Sequence, residues 1–247
     1  MSSYYRIADH IINIINNGNK LSTLSLLPSF VPFKCDNLLN EKILFKLTID
    51  QSVTLIESDK VHHIRAFDTG NGDTVVDRLD NGGYQFLIKN IQGENCVLLI
   101  TNKDFSDCRC RLYGTDNMQR FGLNNALMLV MAFAGSSKDT ILVHASLVRH
   151  NNYGYAFIAK SGTGKSTQVS LWLKYIPNCD LMNDDNPVIR LIDGIPYIYG
   201  SPWSGKTPCY RNVKAPLGAI TRINRAKTNS VDKLSPIESF ASVLPSC

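Results

Sequence analysis

The sequence of 247 residues contains no long hydrophobic run. The nearest candidate, between Ile7 and Ile15, is interrupted by Asp9, His10 and Asn13. It is too short and too polar for a signal peptide or a membrane-spanning segment. We therefore expect a cytoplasmic protein that has no membrane partner.

The chain also lacks a run of lysine and arginine residues. Its net charge of +5 is scattered along the sequence. Basic residues do not alternate with aromatic ones, as they do on surfaces that bind single-stranded nucleic acid. We expect no nucleic-acid partner, although a mild positive charge suits an anionic substrate such as ATP.

The seven cysteines are an odd number, and their spacing does not match that of a zinc site. Cys108 and Cys110 enclose a single residue, whereas structural zinc sites have about two to four. We expect free thiols in a reducing compartment. A hydrophobic content of 44% and a charged content of 19% are ordinary for a globular protein.

The most informative stretch lies between Tyr153 and Thr167. Tyr155 to Ala159 has the composition of a buried strand, and the residues from Ser166 onward have helical periodicity. Gly162 and Gly164, between them, allow the backbone to point successive N–H groups at a phosphate. The stretch predicts a strand, a glycine-rich loop and a helix N-terminus.

This arrangement is typical of a nucleotide phosphate-binding loop, with Ala159 where the usual pattern has glycine. In such loops the lysine, here Lys165, reaches the β- and γ-phosphates, and the hydroxyl of Ser166 binds Mg²⁺. A glycine-rich turn with a solvated lysine is the alternative. We predict binding of ATP and Mg²⁺ by a loop of seven residues, Ser161, Gly162, Thr163, Gly164, Lys165, Ser166 and Thr167.

The first half of the chain is predicted to be rich in β-strands. Turn signals at Asn81–Gly83 and near Asp68 separate short, β-branched segments, which suggests antiparallel hairpins. A helical run at 123–133 marks a change of character. We predict a β-rich region at 1–115 and a nucleotide-binding domain at 116–247. The expected strands are Ile43–Asp50, Val53–Glu57, Val61–Asp68, Thr74–Leu79, Tyr84–Lys89, Cys96–Thr101 and Cys108–Tyr113.

Other candidate site residues lie on both sides of the loop. One carboxylate of the Asp184-Asp185 pair could hold Mg²⁺ and the other accept a proton, although an Asx-rich turn is the alternative. His144, in a strand predicted over 140–149, could serve the site or be a core residue. Lys206 and Arg211 could stabilise γ-phosphoryl charge, hold an acidic substrate, or be solvated charges of a surface loop.

His144, the loop and the Asp184-Asp185 pair together resemble the HPr kinase/phosphorylase and phosphoenolpyruvate carboxykinase superfamily, over positions 142–223. The resemblance implies an α+β or α/β fold, with a P-loop carboxykinase-like kinase core after the β-rich region. It also implies that Lys165 and Ser166 contact phosphate and metal and that Asp185 binds metal. Asp184 would be the base, and His144 would be a partner of the carboxylates or of the metal.

The expected function is ATP-dependent transfer of the γ-phosphoryl group to a hydroxyl on a protein serine or a small molecule. Lys165, Mg²⁺ and Arg211 would neutralise charge. A non-catalytic nucleotide-binding module in a biosynthetic or regulatory assembly is the alternative, and carboxykinase chemistry is a weaker one. The acceptor, any phosphorolysis, the role of 1–113 and a homo-oligomeric state stay open.

Overall fold

The computed structural model describes residues 1–36, 41–68, 71–205 and 207–247. They form two compact units, Met1–Lys138 and Asp139–Cys247. Strands hold 41% of the residues and helices 23%, so the fold is mostly β. Each unit is built on its own mixed sheet, of eight strands in the first and seven in the second.

The described residues of the first unit form eight strands and two α-helices. The sheet order is β1-β2-β3-β8-β7-β6-β5-β4, with parallel pairing of β2 with β3 and of β3 with β8. Short 3-10 helices lie at Pro28–Phe33 and Ser58–Lys60. The elements are β1 (Ser2–Ile7), β2 (His10–Asn17), α1 (Thr23–Leu26), β3 (Ile43–Asp50), β4 (Val61–Asp68), β5 (Asp73–Leu79), β6 (Tyr84–Lys89), β7 (Asn95–Thr101), β8 (Asp107–Leu112) and α2 (Asp116–Ser136).

Six of the seven strands expected in this region are present to within one residue at each end. The exception is Val53–Glu57, where the amide N–H of Ile56 donates to the side chain of Gln85 instead of to a neighbouring strand. Residues 69 and 70, part of an expected turn, lie outside the described residues.

Helix α2 belongs to the first unit, whereas the sequence suggested that it opens the second. Its buried face includes Leu123, Leu127 and Val130, and it packs on β7. Gly122 permits this contact, because a Cβ there would lie 2.9 Å from the backbone of Cys96. The division between the units therefore falls after Lys138, later than the expected boundary at 115/116.

Seven strands and two α-helices are present in the described part of the second unit. The sheet order is β12-β10-β11-β15-β14-β13-β9. Among the described strands of this sheet, β11 with β15 is the one parallel pair. The elements are β9 (Thr140–Leu142), β10 (Ala145–His150), β11 (Tyr153–Ile158), α3 (Lys165–Tyr175), β12 (Cys179–Asp185), β13 (Val188–Ile192), β14 (Ile195–Tyr199), β15 (Lys214–Arg222) and α4 (Pro236–Val243).

The expected α+β or α/β class, with a carboxykinase-like kinase core, is therefore wrong. An α/β sheet is built from parallel strands joined by crossover helices. Here hairpins join β10 to β11 and β13 to β14, so antiparallel pairing dominates. The strand, loop and helix of the phosphate-binding motif are present, but the sheet that carries them is mixed and mostly antiparallel.

Two apolar clusters hold the loop-bearing strand β11. On one face Phe157 packs with Val148 and with Val169 of α3. The other face supplies Ala156 and Ile158 to a larger buried cluster. Because β11 is buried on both faces, the loop that follows it starts from a fixed position.

All seven cysteines are free thiols. Burial raises the pKa of Cys108 and of Cys110, so these thiols stay protonated at neutral pH. In the described part of the chain, no helix has both the length and the apolar character required to cross a membrane.

Candidate functional site

The glycine-rich loop joins β11 to α3, as predicted. Gly162 and Gly164 have φ angles of +76° and +128°, in the region that favours glycine. A Cβ at either position would meet nothing within 4 Å, so the backbone conformation requires glycine and the space beside the loop is open. The first N–H groups of α3 have no partners within the helix. They and the helix dipole make this end suitable for an anion.

Lys165, the first residue of α3, turns its side chain back toward the end of β11. Its Nζ lies 2.9 Å from Nε2 of His144 and donates to the carbonyl oxygen of Ala159 at 3.1 Å. Burial lowers the pKa of Lys165, while the charges of Asp185 and Asp184 act in the opposite direction. The ammonium group is thus held at the loop by two neutral acceptors.

His144 lies at the site between Lys165 and Asp185. Its Nδ1 is 3.1 Å from Oδ1 of Asp185, and its Nε2 faces the lysine. An ammonium group can only donate, so Nε2 accepts and Nδ1–H donates to the carboxylate. His144 falls between β9 and β10, so the strand predicted over 140–149 is interrupted there. Its backbone N–H donates to Ser246 at 2.6 Å.

Asp184 contacts the hydroxyl that the motif assigns to metal binding. Oδ1 of Asp184 accepts from Ser146 Oγ at 2.6 Å and from Ser166 Oγ at 3.4 Å. Antiparallel pairing of β12 with β10 places Ser146 opposite Asp184. The Asp184 residue is only 6% exposed, so its carboxylate is fixed and is shielded from bulk water.

Asp185 is more accessible, with a side chain that is 34% exposed. Its φ of +152° is unusual for a residue with a side chain. Neighbouring residues of a regular strand point to opposite faces. The charges of both carboxylates nevertheless act on Lys165. Asn186 Nδ2 donates to Asp185 Oδ2 at 2.8 Å and fixes the second oxygen.

The structure does not bring Arg211 to this site. Its Nη1 donates to Asp180 Oδ2 at 2.6 Å, and Arg149 donates to both oxygens of the same carboxylate at 2.9 Å. Asp180 precedes Asp184 by four positions on β12, or about 13 Å along a strand. Burial raises the pKa of Asp180, but the bonds from Arg149 and Arg211 outweigh it, and the net pKa is lowered. Lys206 lies outside the described residues.

Sequence reasoning missed two contributors, Ser146 and Asn186. Ser146 stands two positions after His144 on the strand opposite Asp184, so strand alternation from His144 could have identified it. Asn186 belongs to the Asx-rich segment that we considered as a turn. Its backbone N–H donates to Asn183 Oδ1 at 3.1 Å, so turn geometry and site geometry coexist there.

Within residues 1–36, 41–68, 71–205 and 207–247, no group of three or more His, Cys, Asp or Glu side chains could hold a metal ion. The site therefore provides no complete protein cage. Mg²⁺ bound with a nucleotide requires less, since one or two carboxylates act together with phosphate oxygens and water. Ser166 and Asp184, with their oxygens in contact, fit this requirement.

No protein-family model and no curated protein matches the sequence. The resemblance to HPr kinases and carboxykinases thus remains a prediction based on the motif residues. What the protein does must be argued from the geometry of the site.

Proposed function

We propose that the unit Asp139–Cys247 binds ATP with Mg²⁺ and transfers the γ-phosphoryl group to a hydroxyl of an acceptor. One observation supports this above all others. At the N-terminus of α3, two sets of contacts no longer than 3.4 Å lie side by side. Lys165 contacts His144, which contacts Asp185, and the hydroxyl of Ser166 contacts Asp184. Phosphoryl transfer depends mainly on such positioning and charge neutralisation.

The groups divide into two sets by their contacts. The loop amides and Lys165 would hold the phosphates. Ser166 and Asp184 would hold Mg²⁺, because Asp184 is buried and shares its Oδ1 with the serine hydroxyl. Bound Mg²⁺ would neutralise charge on the phosphate oxygens. This assignment exchanges the roles that the family resemblance implies for the two aspartates.

Asp185 is the better candidate for the base. It is the more exposed of the two, and His144 donates to it. In the proposed step, the acceptor oxygen bonds to the γ-phosphorus as the bond from that phosphorus to the β–γ bridging oxygen breaks. ADP leaves, and the proton of the acceptor hydroxyl passes to Asp185. His144 holds that carboxylate in place.

The experiment measures ATP affinity and ATP turnover for Lys165→Ala, Asp184→Asn and Asp185→Asn. Lys174→Ala is the matched control, since Lys174 is exposed in the last turn of the same helix. Lys165→Ala should weaken ATP binding at least about tenfold, the value of one charge-assisted contact. Asp184→Asn should weaken the dependence on Mg²⁺. Asp185→Asn should keep ATP binding and lower turnover by about 10²–10⁴.

Wild-type turnover in both Lys165→Ala and Asp184→Asn would contradict the proposal. A non-catalytic nucleotide-binding role is the second candidate, favoured by the burial of Asp184. It predicts ATP binding that is lost in Lys165→Ala, with no transfer to any acceptor by the wild-type chain. A cytoplasmic location, where ATP is supplied and thiols stay reduced, is part of the proposal.

A further inference from the structure

A cavity of about 340 Å³ lies beside the first half of the phosphate-binding loop. The loop contributes Lys160 and Ser161 to Thr163, and the segment Arg222 to Arg225 forms the other side. The sheet brings the two sides together. β15 is the parallel neighbour of β11, so both strands end at the same edge. Ile223 N–H extends the pairing by donating to Ile158 at 2.9 Å.

The lining of this cavity is cationic. It includes Lys160, Arg222 and Arg225, and none of the described residues that line it carries a carboxylate. Arg225 donates from Nη2 to the carbonyl oxygen of Gly162 at 2.7 Å. That contact uses one of the five N–H donors of a guanidinium group. Three basic residues in the lining of one polar cavity favour an anion, and arginine matches phosphate and carboxylate oxygens in particular.

The volume of the cavity is within the range of small-molecule sites, about 300–1,000 Å³. Lys165, Ser166 and Asp184 are not among the lining residues. The cavity shares Ser161, Gly162 and Thr163 with the predicted phosphate-binding loop, and it adds the basic residues Lys160, Arg222 and Arg225 beside them.

We propose that this cavity is an anion subsite, which binds a phosphate or carboxylate group through Arg222, Arg225 and Lys160. Its place in catalysis rests on the proposed function. The anion comes from one of two sources, either the outer phosphates of the nucleotide or a hydroxyl acceptor that itself carries a phosphate or carboxylate. In the second case, the acceptor is an anionic small molecule or an anionic residue.

The test uses inorganic phosphate as the probe and isothermal titration calorimetry on the full chain. Phosphate is titrated into wild type, Arg222→Gln and Lys227→Gln, each with and without saturating Mg²⁺ and a non-hydrolysable ATP analogue. Lys227 is exposed and lies outside the cavity lining, so it is the charge-matched control. Arg222 is the diagnostic position, because replacing Arg225 would also remove the contact with Gly162.

Arg222→Gln should weaken phosphate binding at least about tenfold while the control binds like wild type. If phosphate still binds wild type that is saturated with the analogue, and this binding is lost in Arg222→Gln, the subsite binds the anion of a separate acceptor. Phosphate that competes with the analogue, with both weakened by Arg222→Gln, identifies the nucleotide's own phosphates. Equal phosphate binding by Arg222→Gln, the control and wild type would overturn the proposal.

The same titrations separate this inference from the proposed function. Wild type that binds phosphate through Arg222 but does not bind the ATP analogue would refute ATP as the substrate and leave the anion subsite standing. Wild type that binds the analogue, with no effect of Arg222→Gln on either ligand, would refute the subsite alone.

Discussion

The hydrogen bond from Ser146 to Asp184 offers a measurable test of how the site is held together. Ser146 is 1% exposed and Asp184 6%, and their oxygens are 2.6 Å apart. A hydrogen bond to a charged group contributes about 1.5–3 kcal/mol, and burial here leaves little screening by solvent. Ser146→Ala removes the donor and leaves the carboxylate buried with fewer partners. We expect a loss of about 2 kcal/mol of unfolding free energy.

The assay is urea unfolding followed by tryptophan fluorescence. Both tryptophans, Trp172 and Trp203, lie in the second unit, so the signal reports that unit alone. With a denaturant slope of about 2 kcal/mol/M, the midpoint should fall by about 1 M. By melting, the shift should be about 10 °C for a unit of roughly 100 residues.

Ser170→Ala is the matched control. Ser170 is exposed on α3, and its hydroxyl donates to the Ser166 carbonyl at 2.8 Å, so its loss should change stability by no more than about 0.5 kcal/mol. A double-mutant cycle with Asp184→Asn should give a coupling energy above about 1 kcal/mol. If Ser146→Ala lowers the unfolding free energy no more than Ser170→Ala does, Ser146 does not hold Asp184 in place. The proposal that Asp184 binds the metal would then be contradicted.

Three further predictions test the site and its support. Arg211→Gln should leave ATP affinity unchanged and lower stability by about 1 kcal/mol or less, since its partner Asp180 is over one third exposed. The difference in stability between wild type and Arg211→Gln should decrease below about pH 4, because Asp180 loses its charge as the pH falls through its lowered pKa. Lys165→Met should raise the urea midpoint, because burial disfavours the charged lysine. Wild-type stability should also rise with pH between the lowered pKa and the ordinary value of 10.5, and the variant should lack that rise. Gly154→Ala would place a Cβ 2.2 Å from Ile198, which should cost about 1–3 kcal/mol in the same assay and be partly relieved by Ile198→Ala.

Most of the strand predictions were based on local patterns in the sequence. Alternating β-branched residues between glycine and asparagine turns placed six strands of the first unit to within a residue. The pairing partners of the strands could not be predicted in this way, because they depend on contacts between distant segments. β3 pairs in parallel with both β2 and β8, and no local signal distinguishes this from a series of hairpins. The expected domain boundary differs for a similar reason. Helix α2 belongs to the first unit because it packs on β7, and its own sequence does not indicate that partner.

In the candidate site, too, some residues could be predicted from the sequence and others could not. The loop could be predicted because Gly162, Gly164 and Lys165 stand at fixed spacings between a strand and a helix. Arg211 could not be placed, since its partner Asp180 lies 31 residues earlier in the chain. Ser146 was missed because its role depends on pairing with Asp184 across the sheet, although its position two residues after His144 was a signal. The loop residues could be predicted from local spacing, whereas the partner of Arg211 could not, because it depends on pairing between distant segments.

The contacts of Lys165 also constrain how the site would respond to a phosphate. Its two acceptors, the imidazole of His144 and the carbonyl of Ala159, are both neutral. A phosphate oxygen is charged and forms a stronger bond with ammonium, so it would compete well for the lysine. Once the lysine turns to a phosphate, Nε2 of His144 gains an accessible lone pair while Nδ1 still faces Asp185. Phosphate binding and exposure of a proton acceptor would then be coupled through one side chain, which links the loop to the base proposed for transfer.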